Sequence, residues 1–259
     1  MEANCDTLTF RVLGHVRCAA KMVADVPSEG LPGTLVLAPD LAPALEGLHP
    51  GAYIYVIVEF DKADPRVLTA SPGTPYQLGA FALRGSDRPN RIGMTLTRIV
   101  RIQGTEIDVS WIDFSDGSPI LDIKKYNPRW EVAFCAPRDD RRHIERQIAY
   151  EALAIVLARP MECFAGTGVP EIKPLAQAAA RLVQEHNVFL GDPGLRAHVE
   201  GAPKLVDCVQ GLLGASLGNG RLSVDLDPNR VVGGIVTLRR NGQVWSVEVS
   251  EAGYTLTRA

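Results

Sequence analysis

Five arginines, Arg84, Arg88, Arg91, Arg98 and Arg101, fall in one short stretch that holds a single acid, Asp87. A guanidinium presents a planar fork of donors matched to carboxylate and phosphate, so this stretch suits an anionic ligand or an RNA backbone. Charge alone also fits a solvated strand face paired with acids elsewhere, because exposed charges contribute little. Downstream, Asp113, Asp116 and Asp122 are candidate proton acceptors. A carboxylate within hydrogen-bond reach of a reacting nitrogen can accept its proton, and the residue types do not single out one of the three. Ser115-Asp116-Gly117-Ser118 equally makes an ordinary turn in which the aspartate bonds its own backbone. Asp122 and Lys124 alternate as on a strand and share one face, where a simple surface ion pair is the plainer reading. Asn90, after Pro89, could read a base edge or fix a turn; Trp111 and Tyr126 could stack on adenine or fill a core.

These residues need a scaffold, and the first half of the chain supplies short β-type runs bounded by Gly and Pro: Leu8–Val16, Gly33–Ala38, Tyr53–Phe60, Gly79–Leu83, Met94–Ile102 and Glu106–Trp111. Tyr53–Phe60 is nearly continuous in apolar β-formers, which predicts a central strand covered on both faces. The alternating runs around Gln103-Gly104-Thr105 predict a hairpin. Composition changes after Asn127-Pro128 and Ala136-Pro137, placing a boundary there. Beyond it, residues 139–159 read as one amphipathic helix, 161–170 as a loop, Glu171 to about His186 as a second helix and Pro203–Leu213 as a third. The last strands are 222–226, 232–240, 243–249 and 253–259, with Asn241-Gly242 as a type I′ turn. The expected architecture is a mainly β barrel over residues 1–137 followed by a smaller α+β domain over 138–259.

With 46% hydrophobic residues in 259, the chain can fill real cores. Its net charge of -3 argues against whole-surface nucleic-acid binding, so any RNA contact is local. No apolar run approaches a membrane span, and the N-terminus lacks a signal-peptide layout, which points to the cytoplasm. Cys5, Cys18, Cys135, Cys163 and Cys208 contain no CxxC pair, and His15, His49, His143, His186 and His198 have no ligand spacing. Neither a disulfide framework nor a metal centre is expected.

Two ordered blocks carry a family resemblance. Gly79-Ala80-Phe81-Ala82-Leu83-Arg84, then Arg88-Pro89-Asn90 and Ile92-Gly93-Met94-Thr95, resemble a signature of the form Gly-x-Phe-Ala-Thr-Arg, Arg-Pro-Asn-Pro-Ile-Gly-Leu-Ser. Asp113 through Tyr126 resembles its second block, Leu-Asp-Leu-x-Asp-Gly-Thr-Pro-x-x-Asp-Ile-Lys-Pro-Tyr. The signature is that of the TsaA-like family of S-adenosylmethionine-dependent tRNA methyltransferases, and with Leu13–Arg17 and Tyr53–Asp61 the resemblance covers roughly residues 8–130. It implies a β-barrel domain, a homodimer, S-adenosylmethionine as cofactor, and N6-methylation of threonylcarbamoyl-adenosine beside the tRNA anticodon. Leu83, Arg91 and Asp61 depart from the family's Thr, Pro and His, and Gly85-Ser86-Asp87 from its Ser-Pro-type turn. A non-catalytic sensor or scaffold that keeps the cofactor pocket is the alternative.

Carried over residue by residue, the resemblance implies cofactor contacts at Ser28, Glu29, Gly30, Asp61, Arg84, Met94, Ser110, Trp111, Ile112 and Asp113. It implies catalytic candidates Asp113, Asp116, Asp122 and Asn90, and substrate contacts at Arg88, Arg91, Lys124 and Tyr126. Arg84 best suits a bidentate grip on a carboxylate. In the second half, Leu205 through Leu222 resembles a block of the formylmethanofuran dehydrogenase-like family. Ala215 stands there for the motif cysteine, so a metal site is not expected.

Overall fold

Alternating apolar residues in the first half close into a barrel in the computed structural model, which describes residues 8–71, 77–131, 136 and 138–258. Its strands, with a small hairpin of β4 and β5, are β1 (Gly14–Arg17), β2 (Leu31–Leu37), β3 (Tyr53–Glu59), β4 (Thr69–Ala70), β5 (Leu78–Gly79), β6 (Ile92–Gln103), β7 (Glu106–Ile112) and β8 (Pro119–Lys125). The barrel closes in the order β1-β2-β7-β6-β3-β8, through antiparallel pairs only. Closure leaves no strand edge to pair with another chain. Leu35, Ile54, Val56, Val58, Ile99, Ile107, Ile112, Phe114 and Ile120 fill the interior. Each such side chain contributes about 1.5–3 kcal/mol by leaving water.

β3 does lie between two neighbours, β6 and β8, but only one of its faces is fully covered. Ile54, Val56 and Val58 point inward while Tyr53, Tyr55 and Ile57 are half-buried outside. A barrel has one interior, so the apolar residues that suggested two covered faces make an outer aromatic row instead. In it Tyr53 meets Trp111 at 6.2 Å and Tyr126 at 6.4 Å, and Tyr55 meets Tyr126 at 6.1 Å. The run Leu8–Val16 yields a strand only from Gly14, and Ala80–Ala82 forms a 3-10 turn in place of a strand. The hairpin at Gly104 closes with Gln103 opposite Glu106.

The chain splits into two compact units, Met1–Val132 and Ala133–Ala259, and the short α1 (Pro128–Glu131) ends the first. The second contains α2 (Arg142–Glu145), α3 (Tyr150–Ala165), α4 (Ile172–His186), β9 (Arg196–Gly201), α5 (Pro203–Leu213), β10 (Leu222–Leu226), β11 (Gly234–Arg240), β12 (Gln243–Ser250) and β13 (Gly253–Arg258). Its sheet runs β10-β9-β11-β12-β13, with β9 and β10 parallel. Leu153, Leu157, Met161, Leu182, Leu205 and Trp245 share its core. Asn241 at φ 49° and Gly242 at φ 78° make the type I′ turn.

Two helix expectations are corrected here. Residues 139–159 do not form one helix, because the Gln184 side-chain amide donates to the carbonyls of Glu145 (3.3 Å) and Ile148 (2.8 Å) and holds a break between α2 and α3. Residues 161–165 are helix and not loop: Leu153, Leu157, Met161 and Ala165 continue one buried stripe through Pro160. Cys5, Cys135 and Pro137 lie outside the described residues. No helix among the described residues is long and apolar enough to cross a membrane.

Candidate functional site

The two signature blocks meet at one cleft of about 450 Å³. Arg84, Arg88, Asn90, Met94 and Asp113 line it, with Phe60, Phe81, Leu83 and Ile92 as its apolar surface. Leu83 and Arg84 leave the Ala80–Ala82 turn, and Arg88 to Arg91 forms a second turn in which the Arg91 amide donates to the Arg88 carbonyl at 3.0 Å. The chain then enters β6 at Ile92. Gly93 is buried beneath Phe60: a Cβ there would collide with the phenyl ring and meet Val58 Cγ2 at 2.9 Å. Only glycine lets the ring lie this close to the sheet.

Phe60 also borders a second concavity of about 290 Å³, lined by Asp61, Lys62, Ser86, Asp87, Ser115 and Ser118 with Met22 and Val23. The ring therefore stands between an arginine-bearing cleft and an acid-bearing one. It packs edge-on against the buried Phe114, with centroids 5.9 Å apart at 63°. The Phe60 amide donates to the Arg91 carbonyl at 2.7 Å, which fixes the exit of β3.

The arginine cluster divides by partner. Arg101 pairs with Asp108 at 2.8 Å, and Arg91 pairs with Glu59 at 2.7 Å while donating to the Asp61 carbonyl at 3.2 Å. Arg84 donates to the Met94 carbonyl and Arg88 to the Leu83 carbonyl, and neither has an acid partner among the described residues. Two guanidinium groups at the cleft thus keep donors for an anion.

The other sequence candidates lie elsewhere. Ser28, Glu29 and Gly30 form a turn before β2, in which the Gly30 amide donates to the Pro27 carbonyl at 2.8 Å, and they line neither cleft. Leu31 pairs with Ile112, so this turn ends at the same rim of the barrel as Asp113. Ser110 donates to the Arg98 carbonyl (3.1 Å) and the Trp111 indole to the Leu96 carbonyl (2.7 Å), while the Ile112 side chain is wholly inside the barrel. Asp122 forms the surface ion pair with Lys124 at 2.8 Å and borders a separate, leucine-lined concavity. Tyr126 belongs to the outer aromatic row.

Asp116 is held by the barrel itself. Its carboxylate accepts from Lys21 Nζ at 2.7 Å and from the Cys18 amide at 3.0 Å, and these contacts, Lys21 first, hold its carboxyl below the usual carboxylate range. Lys21 is 73% exposed, so solvent screens its share and the amide bond carries most of the contribution. Asp116→Ala is expected to cost about 1 kcal/mol of barrel stability at neutral pH and to leave turnover within about threefold. Because the folded carboxyl is the more acidic one, the wild-type contribution is present above about pH 4 and fades as pH falls through the lowered value. Chemical denaturation at neutral and acid pH, beside a turnover assay, checks both halves.

Residues 23–132 match the model of the tRNA-methyltransferase O N-terminal domain. A probable S-adenosyl-L-methionine-binding protein of Methanothermobacter thermautotrophicus is 31% identical over 124 residues, covering 46% of this chain and 90% of that protein. The chain belongs to the tRNA-methyltransferase O N-terminal domain family. An S-adenosyl-L-methionine-binding protein of Archaeoglobus fulgidus is 29% identical over 126 residues, 47% of this chain and 91% of its own length. A mouse tRNA (adenine(37)-N6)-methyltransferase is 32% identical over 87 residues, 32% of this chain and 20% of its own length.

Three departures from the family signature have places in this geometry. Leu83 adds apolar surface to the first cleft and Asp61 a carboxylate to the second. Arg91 takes a left-handed backbone, φ 52°, that the family's proline could not adopt, and uses its side chain to tie Glu59 to the β3 exit. Phe60, Phe81 and Glu59 were not among the residues expected from sequence. The signal for Phe60 was its position at the end of the apolar run of β3, and for Phe81 its place inside the first block.

Proposed function

We propose that this chain binds S-adenosylmethionine at the two clefts around Phe60 and methylates N6 of adenosine in a tRNA anticodon loop, the threonylcarbamoyl-adenosine beside the anticodon being the acceptor. The observation that carries the reading is the convergence of Arg84, Arg88, Asn90, Met94 and Asp113, from two separated sequence blocks, on one apolar cleft. The names of the relatives, S-adenosyl-L-methionine-binding protein and tRNA (adenine(37)-N6)-methyltransferase, support it.

The residues present fit the cofactor. Arg84, with no acid partner among the described residues, has guanidinium donors for a carboxylate, Asp61 supplies a carboxylate for an ammonium, and Phe60, Leu83, Ile92 and Met94 provide apolar cover. When bound, S-adenosylmethionine supplies an electrophilic methyl group. The protein aligns donor and nucleophile and keeps water out, which are the main demands of an in-line displacement. A carboxylate oxygen of Asp113 accepts the proton that the attacking nitrogen sheds. Asp113 is preferred over Asp116 and Asp122 because it alone of the three borders the cleft. Ser28 to Gly30 and Ser110 to Ile112 contribute by shaping the rim. We further propose a homodimer and a cytoplasmic setting, in keeping with a tRNA substrate.

Calorimetric titration with S-adenosylmethionine, followed by mass analysis of anticodon-loop nucleosides after incubation with tRNA, tests the reading. Binding with a gain of one methyl on the modified adenosine is the expected result. Absence of binding overturns it, and binding with unchanged nucleosides leaves the sensor in its place. Arg84→Ala is expected to weaken cofactor binding by about 1.5–3 kcal/mol, the range for hydrogen bonds to charged groups. An unchanged affinity removes Arg84 from the site.

A further inference from the structure

Phe81 is the anomaly of the first cleft. Its ring is 84% exposed, although it sits on an anchored turn: Ala80 beneath it is buried, the Ala80 amide donates to the Leu68 carbonyl at 2.8 Å, and the Leu83 amide closes back on the Ala80 carbonyl at 3.3 Å. An aromatic ring buries more apolar surface than almost any other side chain when it can, so a rigidly presented and exposed phenyl group is surface held ready for a partner.

Its neighbours indicate which partner. Arg84 and Arg88 line the same cleft and have no acid partner among the described residues, and Asn90 lies at the same rim. Asp87, next to Arg88 in the chain, already accepts from the Asp64 amide at 2.9 Å. An exposed aromatic face beside unpaired guanidinium groups and an amide side chain matches a nucleotide: a base to stack, a phosphate to pair and a base edge to bond. A base inside a duplex has no free face, so the match is to an unpaired one.

We propose that Phe81 is the stacking platform for an unpaired RNA base at the mouth of the cleft, with Arg88 on the adjoining phosphate. The proposal rests on the reading of the cleft as an RNA methyltransferase site and deepens it by naming the residue that holds the acceptor strand. The cofactor contacts proposed above fall on Arg84 and Met94, so the two bindings separate by mutation.

The test uses the full chain, an anticodon stem-loop RNA, a fully paired RNA of the same length, and S-adenosylmethionine. Phe81→Ala is expected to weaken stem-loop binding about tenfold or more, the usual loss on removing an aromatic stacking partner, and to leave cofactor affinity within about twofold. Phe81→Trp is expected to restore binding, and its added indole fluorescence is expected to fall with the stem-loop and not with the duplex. Stem-loop affinity unmoved by Phe81→Ala overturns the proposal, and so does a matching loss of cofactor affinity, which would assign the ring to the cofactor's adenine. Equal quenching by the duplex also overturns it. A wild-type chain that binds no S-adenosylmethionine overturns the reading of the cleft instead, and is told apart because it concerns the unmutated protein.

Discussion

Phe114→Ala is expected to destabilise the barrel by about 3–5 kcal/mol, a large share of what a domain of this size has to spare. Phe114 is 1% exposed, lies in the core with Ile112 and Ile120, and supports Phe60 edge-on at 5.9 Å. Removing the ring opens a cavity that the surrounding strands can close only in part, because a closed barrel has fixed strand spacing. The edge-to-face contact with Phe60 is lost as well. Phe60 stands between the two clefts, so cofactor affinity is expected to fall with stability. Phe114→Leu, which keeps most of the volume, should cost under about 1.5 kcal/mol. With two units in the chain the readout must be local, and amide exchange of β3 and β6 serves that purpose. Equal protection of these strands in Phe114→Ala and wild type would show that the ring does not support the site.

Much of this site can be read in the sequence because its chemistry is local in the chain. The blocks holding Arg84 to Met94 and Asp113 to Tyr126 each carry their residues in order, and β6 and β7 bring the blocks together through a hairpin whose turn is visible at Gly104. Neighbouring strands joined by short turns are what residue patterns report best. What could not be read depends on distant partners. The break between α2 and α3 is set by Gln184, far along the chain, and the parallel pairing of β9 with β10 crosses the whole of α5. The proline at 160 suggests a helix end, yet the buried stripe from Leu153 to Ala165 outweighs the lost hydrogen bond. Arginine types alone do not show that Arg91 and Arg101 would be taken by Glu59 and Asp108 while Arg84 and Arg88 have no acid partner among the described residues. The same holds for the aspartates: Lys21 and the Cys18 amide claim Asp116, Lys124 claims Asp122, and only the fold leaves Asp113 at the cleft.

That division of the three carboxylates gives the largest expected effect on turnover. Asp113→Asn keeps the size and the hydrogen-bonding reach of the side chain but removes its capacity to take a proton. If Asp113 receives the proton from the attacking nitrogen, kcat falls by about 10²–10⁴, the range for loss of a positioned general base. The affinity for S-adenosylmethionine, measured by calorimetry on the same preparation, should stay within about threefold, because Arg84 and the apolar wall of the cleft are untouched. The split between the two measurements is what separates a proton acceptor from a cofactor ligand, since a lost ground-state contact would weaken binding by as much as it weakens kcat/KM. A kcat within about fivefold of wild type would exclude Asp113 as the acceptor. Asp61, the carboxylate that this chain carries at the neighbouring cleft in place of the family's histidine, would then be the next group to replace.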